Sequence, residues 1–272
     1  MAALPDYKTP PVIEVAMGTQ FAPLADLTTA HVGIYWALIR SEFGSIQEQP
    51  PIVHIVEQLG SAPRGSRRPI GIEVQTKPDL LRTWFVDGTG NRIIQLQRDR
   101  FLHNWRKVKE ADEYPRFPSV RDAFKRYWDQ FHTFLAAEGL PLPQVDQCEL
   151  TYVNHIRKGR AWESMADLSD VFTTFQWQTR AGFLPDPDNI RWLMQFSLPD
   201  KMGRLHVEVF RVLLPPDNAQ AIRFALTARG RPPGDLDQSR IDQWFELARE
   251  WIVKGFADLV GKKMDALWEK LP

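Results

Sequence analysis

Cys148 and His155 are of the types that form a nucleophile and its base. Seven residues apart on one extended strand, they would point to opposite faces and lie about 23 Å from each other, so the thiol has no base and reads as a small buried residue. His206 and Glu208 share a strand face and could supply two metal ligands, but a site needs a third or fourth from elsewhere and no such cluster is visible. Gly255 and Gly261 with Lys262 mimic a phosphate loop but fail it. The glycines are wrongly spaced, Lys263 replaces the required Ser or Thr, and the stretch ends a helix rather than opening one. Glu14 and Glu149 are the remaining carboxylate constellation. On two central strands they could do acid–base work if one pKa were raised, or each could serve a structural ion pair to an arginine. No catalytic motif survives, and neither a metal nor a cofactor is expected.

Recognition chemistry is better represented. Between Ile93 and Lys107 neither alternating register is cleanly apolar: one holds Gln95, Gln97, Asp99 and His103, the other Arg98, Arg100, Asn104 and Arg106, with a tight turn at Asp99. So many polar residues in a β-prone stretch imply either a buried hydrogen-bond network or a recognition surface. Arg223 and Arg229 alternate against Ile222, Phe224 and Leu226. The same polar face would gather Gln195, Ser197, Glu149, Thr151, His206 and Glu208. Of the ten tryptophans, Trp192, Trp244 and Trp251 fall at core positions, whereas Trp105 and Trp84 lie near enough to the basic residues to stack on a base.

The elements that must position these residues follow from periodicity. Strands are expected at Val12–Val15, Gly71–Thr76, Leu81–Val86, Arg92–Arg98 and Arg100–Val108, then from Gln147, at Phe172–Thr179, Asn189–Leu198, Arg204–Leu213 and Ala221–Arg229. A helix spans roughly Thr28 to Phe43, capped by Thr28 or Thr29, and a short one is expected at Trp162–Val171. Two long amphipathic helices carry Val120, Phe124, Tyr127, Phe131 and Leu135, and Ile241, Phe245, Ala248, Ile252 and Phe256. Each half therefore reads β-α-β-β-β-β-α, with the Pro/Gly/Ser/Arg-rich stretch Ser45–Pro69 as extra length in the first. The expectation is an α+β fold, an internal duplication with repeats at 1–140 and 141–272. Its antiparallel sheet would pack on long helices in a helix-grip or TATA-binding-protein-like arrangement.

With 272 residues, 43% hydrophobic, one cysteine and 34 basic against 34 acidic residues, the chain is neither disordered nor a disulfide scaffold. The segment Arg64–Arg126 holds 15 Lys/Arg against 8 Asp/Glu, so zero net charge is a cancellation that could steer an anionic partner. The start Met1–Pro11 has no secretory pattern and no apolar run has membrane-span length, so a cytoplasmic protein is expected.

Several blocks read together resemble a sporadically distributed bacterial protein family. They are Pro10-Pro11-Val12-Ile13-Glu14, Gln97-Arg98-Asp99-Arg100-Phe101, Asn104-Trp105-Arg106-Lys107, Tyr114-Pro115-Arg116-Phe117, Cys148-Glu149-Leu150-Thr151-Tyr152-Val153-Asn154, and Phe256-Ala257-Asp258-Leu259 with Met264 and Trp268. The family's pattern has Thr and His where this chain has Val260 and Asp265, which argues against an essential C-terminal histidine. The resemblance transfers no activity. Patchy distribution implies carriage on mobile elements, and so a part in phage defence or a toxin–antitoxin-like pair. The reading is a non-enzymatic recognition or regulatory protein. It would hold a protein partner, from a neighbouring gene or a second copy, or a small anionic ligand, through Arg98, Arg100, Asn104, Trp105, Arg106, Lys107, Arg223 and Arg229. A saddle-type nucleic-acid binder is the first alternative, and an enzyme built on Glu14, Glu149, His206 or Glu208 the second.

Overall fold

Alternation decides the faces. A computed structural model describes residues 3–58, 80–177, 183–234 and 237–272. The alternating segments form β1 (Val12–Phe21), β2 (Ser45–Gln49), β3 (Arg82–Val86), β4 (Arg92–Gln97), β5 (Arg100–Arg106), β6 (Val145–Arg157), β7 (Arg191–Ser197), β8 (Arg204–Leu214) and β9 (Ala219–Gly230). All pair antiparallel in one sheet, in the order β2-β3-β4-β5-β1-β6-β9-β8-β7. The α+β class and large antiparallel sheet expected from the sequence are present.

One face of this sheet is apolar. Val15 and Met17 of β1, Phe101 of β5, Leu150 of β6, Val207 of β8 and Phe224 and Leu226 of β9 are buried beneath α2 (Arg116–Ala137) and α4 (Gln238–Leu259). The helices bury the stripes their 3.6-residue period lays out: Val120, Phe124, Tyr127 and Phe131 on α2, Ile241, Phe245, Ala248 and Ile252 on α4. Phe124 and Phe245 meet edge to face at 5.4 Å. Asp237 caps α4 by accepting the Arg240 N–H at 2.8 Å. α1 (Thr29–Ile39) starts at Thr28, whose backbone N–H donates to His31 Nδ1 at 3.1 Å, and packs Tyr35 between Phe85 and Phe131. Two short helices follow, α3 (Leu168–Val171) after a 3₁₀ turn and α5 (Lys262–Leu267).

Some expectations shift. The extra length in the first half is in part a strand, β2, followed by an extended segment from Pro50 to Gln58. The strand expected at Gly71–Thr76 lies outside the described residues. Residues 172–177 form no strand, because Phe172 and Phe175, three apart, both turn onto Trp192 while the Thr173 N–H is taken by Leu259 O. Among the described residues the second half therefore has three strands, β7 to β9, after its short helix, where four were expected.

Candidate recognition surface

The sheet face away from the helices is polar, and its pattern follows from the registers. Gln97 of β4 faces Arg100 of β5, Arg100 faces Gln20 of β1, and Gln20 faces Gln147 of β6. Four long polar side chains thus stand in one row across four strands, spanning about 14 Å at about 4.8 Å per strand. β1 and β5 approach closely beside this row. A Cβ on Gly18 would lie 2.6 Å from both Leu102 Cγ and Phe101 O, so only glycine fits.

The segment Pro50–Gln58 crosses the sheet along this row, and the row holds its backbone. Gln97 accepts the Ile52 N–H and donates to Ile52 O, both at 2.9 Å. Arg100 donates to Val53 O at 3.2 Å, and Gln20 accepts the Ile55 N–H at 3.4 Å. Gln147 accepts the Glu57 N–H and donates to Ile55 O, both at 2.7 Å. Five residues of extended chain advance about 16 Å, which matches the row. Beyond the row the Glu57 carboxylate reaches β8, where Arg204 and His206 donate to it, and His54 bridges Asp99 at 3.0 Å and Asp146 at 3.7 Å. Val53, Ile55 and Val56 are 59%, 52% and 42% exposed, so polar contacts rather than apolar burial hold this strap.

The arginines divide into two groups. On the β9 side each has a carboxylate: Arg229 Nε lies 2.7 Å from Glu149 and Arg223 lies 3.5 Å from Glu208. On the β3–β5 side Arg82, Arg100 and Arg106 form no ion pair among the described residues. Arg82 and Arg100 each bury an Nε–H that finds no acceptor there. Burial, and after it the charge of Arg100, holds Arg82 below the ordinary guanidinium value. Trp84 stands between Arg82 and Arg106, whose guanidinium carbons lie 5.4 and 5.7 Å from its ring.

No protein-family model matches the chain, and no curated protein matches it in sequence. The surface is therefore read from its own geometry. Of the residues singled out from the sequence, Arg100, Asn104, Arg106, Arg223 and Arg229 lie on the open face. Asn104 is a network residue there, accepting from Gln95 at 2.8 Å and donating to Glu14 at 2.5 Å. Arg106 donates to Gly90 O at 2.9 Å. Trp105 is a correction: paired with Val15, it points to the helix side and packs on Tyr114 at 5.5 Å. Arg98 sits in the β4–β5 turn and donates to Leu27 O at 3.1 Å, and the Lys107 backbone N–H extends the sheet to Ile13 O.

Glu14 and Glu149 occupy the two central strands but form no pair. Gly18 faces Glu149, so the two glutamates are four residues out of register, about 13 Å apart. His206 and Glu208 are committed to Glu57 and Arg223. Cys148 is fully buried, and burial pushes its thiol up. Burial first, then Arg223 and Arg157, hold His155 at about 4. Among the described residues no three His, Cys, Asp or Glu side chains converge to hold a metal, and no helix is long and apolar enough to cross a membrane.

The sequence reading missed Gln20, Gln147, Glu57, Arg82 and Arg204. For the four on strands the one signal was long polar side chains at alternate positions, as in Met17-Gly18-Thr19-Gln20-Phe21 and Gln147-Cys148-Glu149-Leu150, and Glu57, on no strand, carried none.

Proposed function

We propose that this chain is a non-enzymatic recognition protein whose open sheet face holds an extended segment of a protein partner, with anionic groups favoured over the β3–β5 arginines. One observation carries the reading. The face already holds an extended peptide, Ile52 to Glu57, through its backbone N–H and C=O groups, a mode that ignores side-chain identity and so suits a foreign segment equally well. Internal duplication over 1–140 and 141–272, in a helix-grip or TATA-binding-protein-like form, is supported by the adjacency of β1 and β6 and by two long helices of 22 residues each, one closing each half. A part in phage defence or a toxin–antitoxin-like pair rests on the family resemblance alone.

The test is a labelled peptide of the sequence Pro50 to Gln58, titrated into the full chain carrying Glu57→Lys. That substitution sets like charge against Arg204 and loosens the resident strap. Saturable anisotropy is expected, tighter than with the unsubstituted chain and weakened several-fold by adding Gln147→Ala. Equal, negligible binding in all three would remove the reading.

A second reading, a saddle-type nucleic-acid binder, is favoured by the Arg82–Trp84–Arg106 stack on the open face. It requires binding to unspecific single-stranded DNA that falls steeply with salt. Failure to be retained on such DNA at low salt eliminates it.

A further inference from the structure

On the helix side of the sheet, away from the strap, the β3–β4 hairpin turn, β5 and the first turns of α2 line a solvent-open cavity of about 350 Å³. This is within the range of small-molecule sites, roughly 300–1,000 Å³. His103 is at its floor. It is 1% exposed, sits in register between Ile94 and Met17, and has no hydrogen-bond partner on either ring nitrogen. A buried imidazole with two unmet nitrogens is costly unless something else meets them.

The walls state what that something is. Asp87, Asp112 and Glu113 bring three carboxylates against one guanidinium, and that one, Arg92, is bound to Asp87 at 2.9 Å and lies 3.7 Å from Glu42. Asp112 accepts from Asn91, Val108 and Lys109 through Oδ2. Those backbone and side-chain donors hold its carboxyl below the ordinary carboxylate range, so it stays charged. Glu113 is exposed at the rim and forms no ion pair among the described residues. Burial first, then Arg92 and Arg126, keep the His103 imidazole neutral, at about 3, so one of its nitrogens is an acceptor. Trp105 gives the cavity an aromatic wall and Ala123 an aliphatic one. The lining is negative, and its hairpin-turn donors are spent, Thr89 on Asp87 and Asn91 on Arg106 O and Asp112. It calls for a donor-rich cation, and with no three metal-ligating side chains converging among the described residues, the cation is organic.

We propose that this cavity binds a small alkylammonium ion. An N–H donates to His103, the Asp112 and Glu113 carboxylates balance the charge across the cavity without converging on it, and the chain lies against Trp105 and Ala123. The site is on the opposite side of the sheet from the strap, so its fate is independent of the peptide reading.

The probe is n-butylamine, protonated at neutral pH, added to the full-length chain with histidine ring nitrogens labelled, and n-butyrate at equal ionic strength is the control. Butylammonium should move the His103 ring signals saturably, with butyrate leaving them in place. Glu113→Lys, at an exposed position that does not threaten folding, should weaken half-saturation by roughly tenfold. Unmoved His103 signals, an equal response to butyrate, or undiminished affinity in Glu113→Lys would each overturn the proposal.

Discussion

Glu57 decides whether the C-terminal end of the strap stays on the sheet. Burial alone would raise its carboxyl, but hydrogen bonds from His206 and Arg204 outweigh burial and hold it below its ordinary value of 4.5. A carboxyl lowered in the folded state stabilises that state above its unfolded pKa and loses the contribution as pH falls through the folded one. The strap end is therefore held at neutral pH and released in acid, below the ordinary glutamate range. Hydrogen exchange reads this directly. The Glu57 N–H, bonded to Gln147, should keep its protection factor from neutral pH down to the ordinary glutamate value of 4.5 and lose it as pH falls further, whereas Glu57→Gln should lack that protection throughout. A protection factor independent of pH in the unsubstituted chain would show that the carboxylate does not anchor the strap. No local pattern leads to this residue, because a carboxylate in a Pro-flanked apolar run has no local partner. Arg204 and His206 are almost 150 residues away, and only the sheet order brings them near.

Elements built on a local period were legible. Ile222, Phe224 and Leu226 are buried as their alternation requires, and α2 and α4 bury the stripes their spacing defines. Elements that depend on a distant partner were not. Ile52 to Val56 is β-prone, yet among the described residues it pairs with no neighbouring strand, and its hydrogen bonds go to side chains of β1, β4, β5 and β6. Phe172 and Phe175 suggest a strand by residue type, yet they are anchors that tie the chain to Trp192 and to the end of α4. The polar run from Gln95 to Arg106 was legible as a stretch in which neither register is apolar, and of the two meanings assigned to it the hydrogen-bonded network is present. Gln95, Asn104 and Glu14 form a hydrogen-bonded network, while Gln97 and Arg100 bind the strap. The two-residue turn at Arg98–Asp99 decides this, because it returns Gln97 and Arg100 to the same face and sends His103 to the other.

At the scale of the whole molecule, folding sets acids from outside the basic segment against five of its cations. Asp6 pairs with Arg116, Glu42 with Arg92 and Arg126, Asp242 with Lys125 and Glu246 with Arg121, so acids from both ends of the chain meet the basic segment at its helix side. The last two pairs join α2 to α4 beside the Phe124–Phe245 contact, while β1 and β6 join the halves through the middle of the sheet. With both layers continuous across residue 140, neither half has a core of its own to lose first. Unfolding should be a single transition. Trp128 beneath the first half and Trp244 beneath the second, both buried, become separate reporters when the indoles are fluorine-labelled and each of the two resonances is assigned by its Trp→Phe variant. Urea curves of the two resonances should each follow the far-ultraviolet circular dichroism of the same sample. Phe245→Ala, a cavity at the helix contact, should lower both reporters' midpoints together by an amount equivalent to about 3–5 kcal/mol. If only the Trp244 signal moved, or if the curves resolved into two steps, the halves would be separate folding units, and the sheet joining β1 to β6 would be a docking interface rather than a shared core.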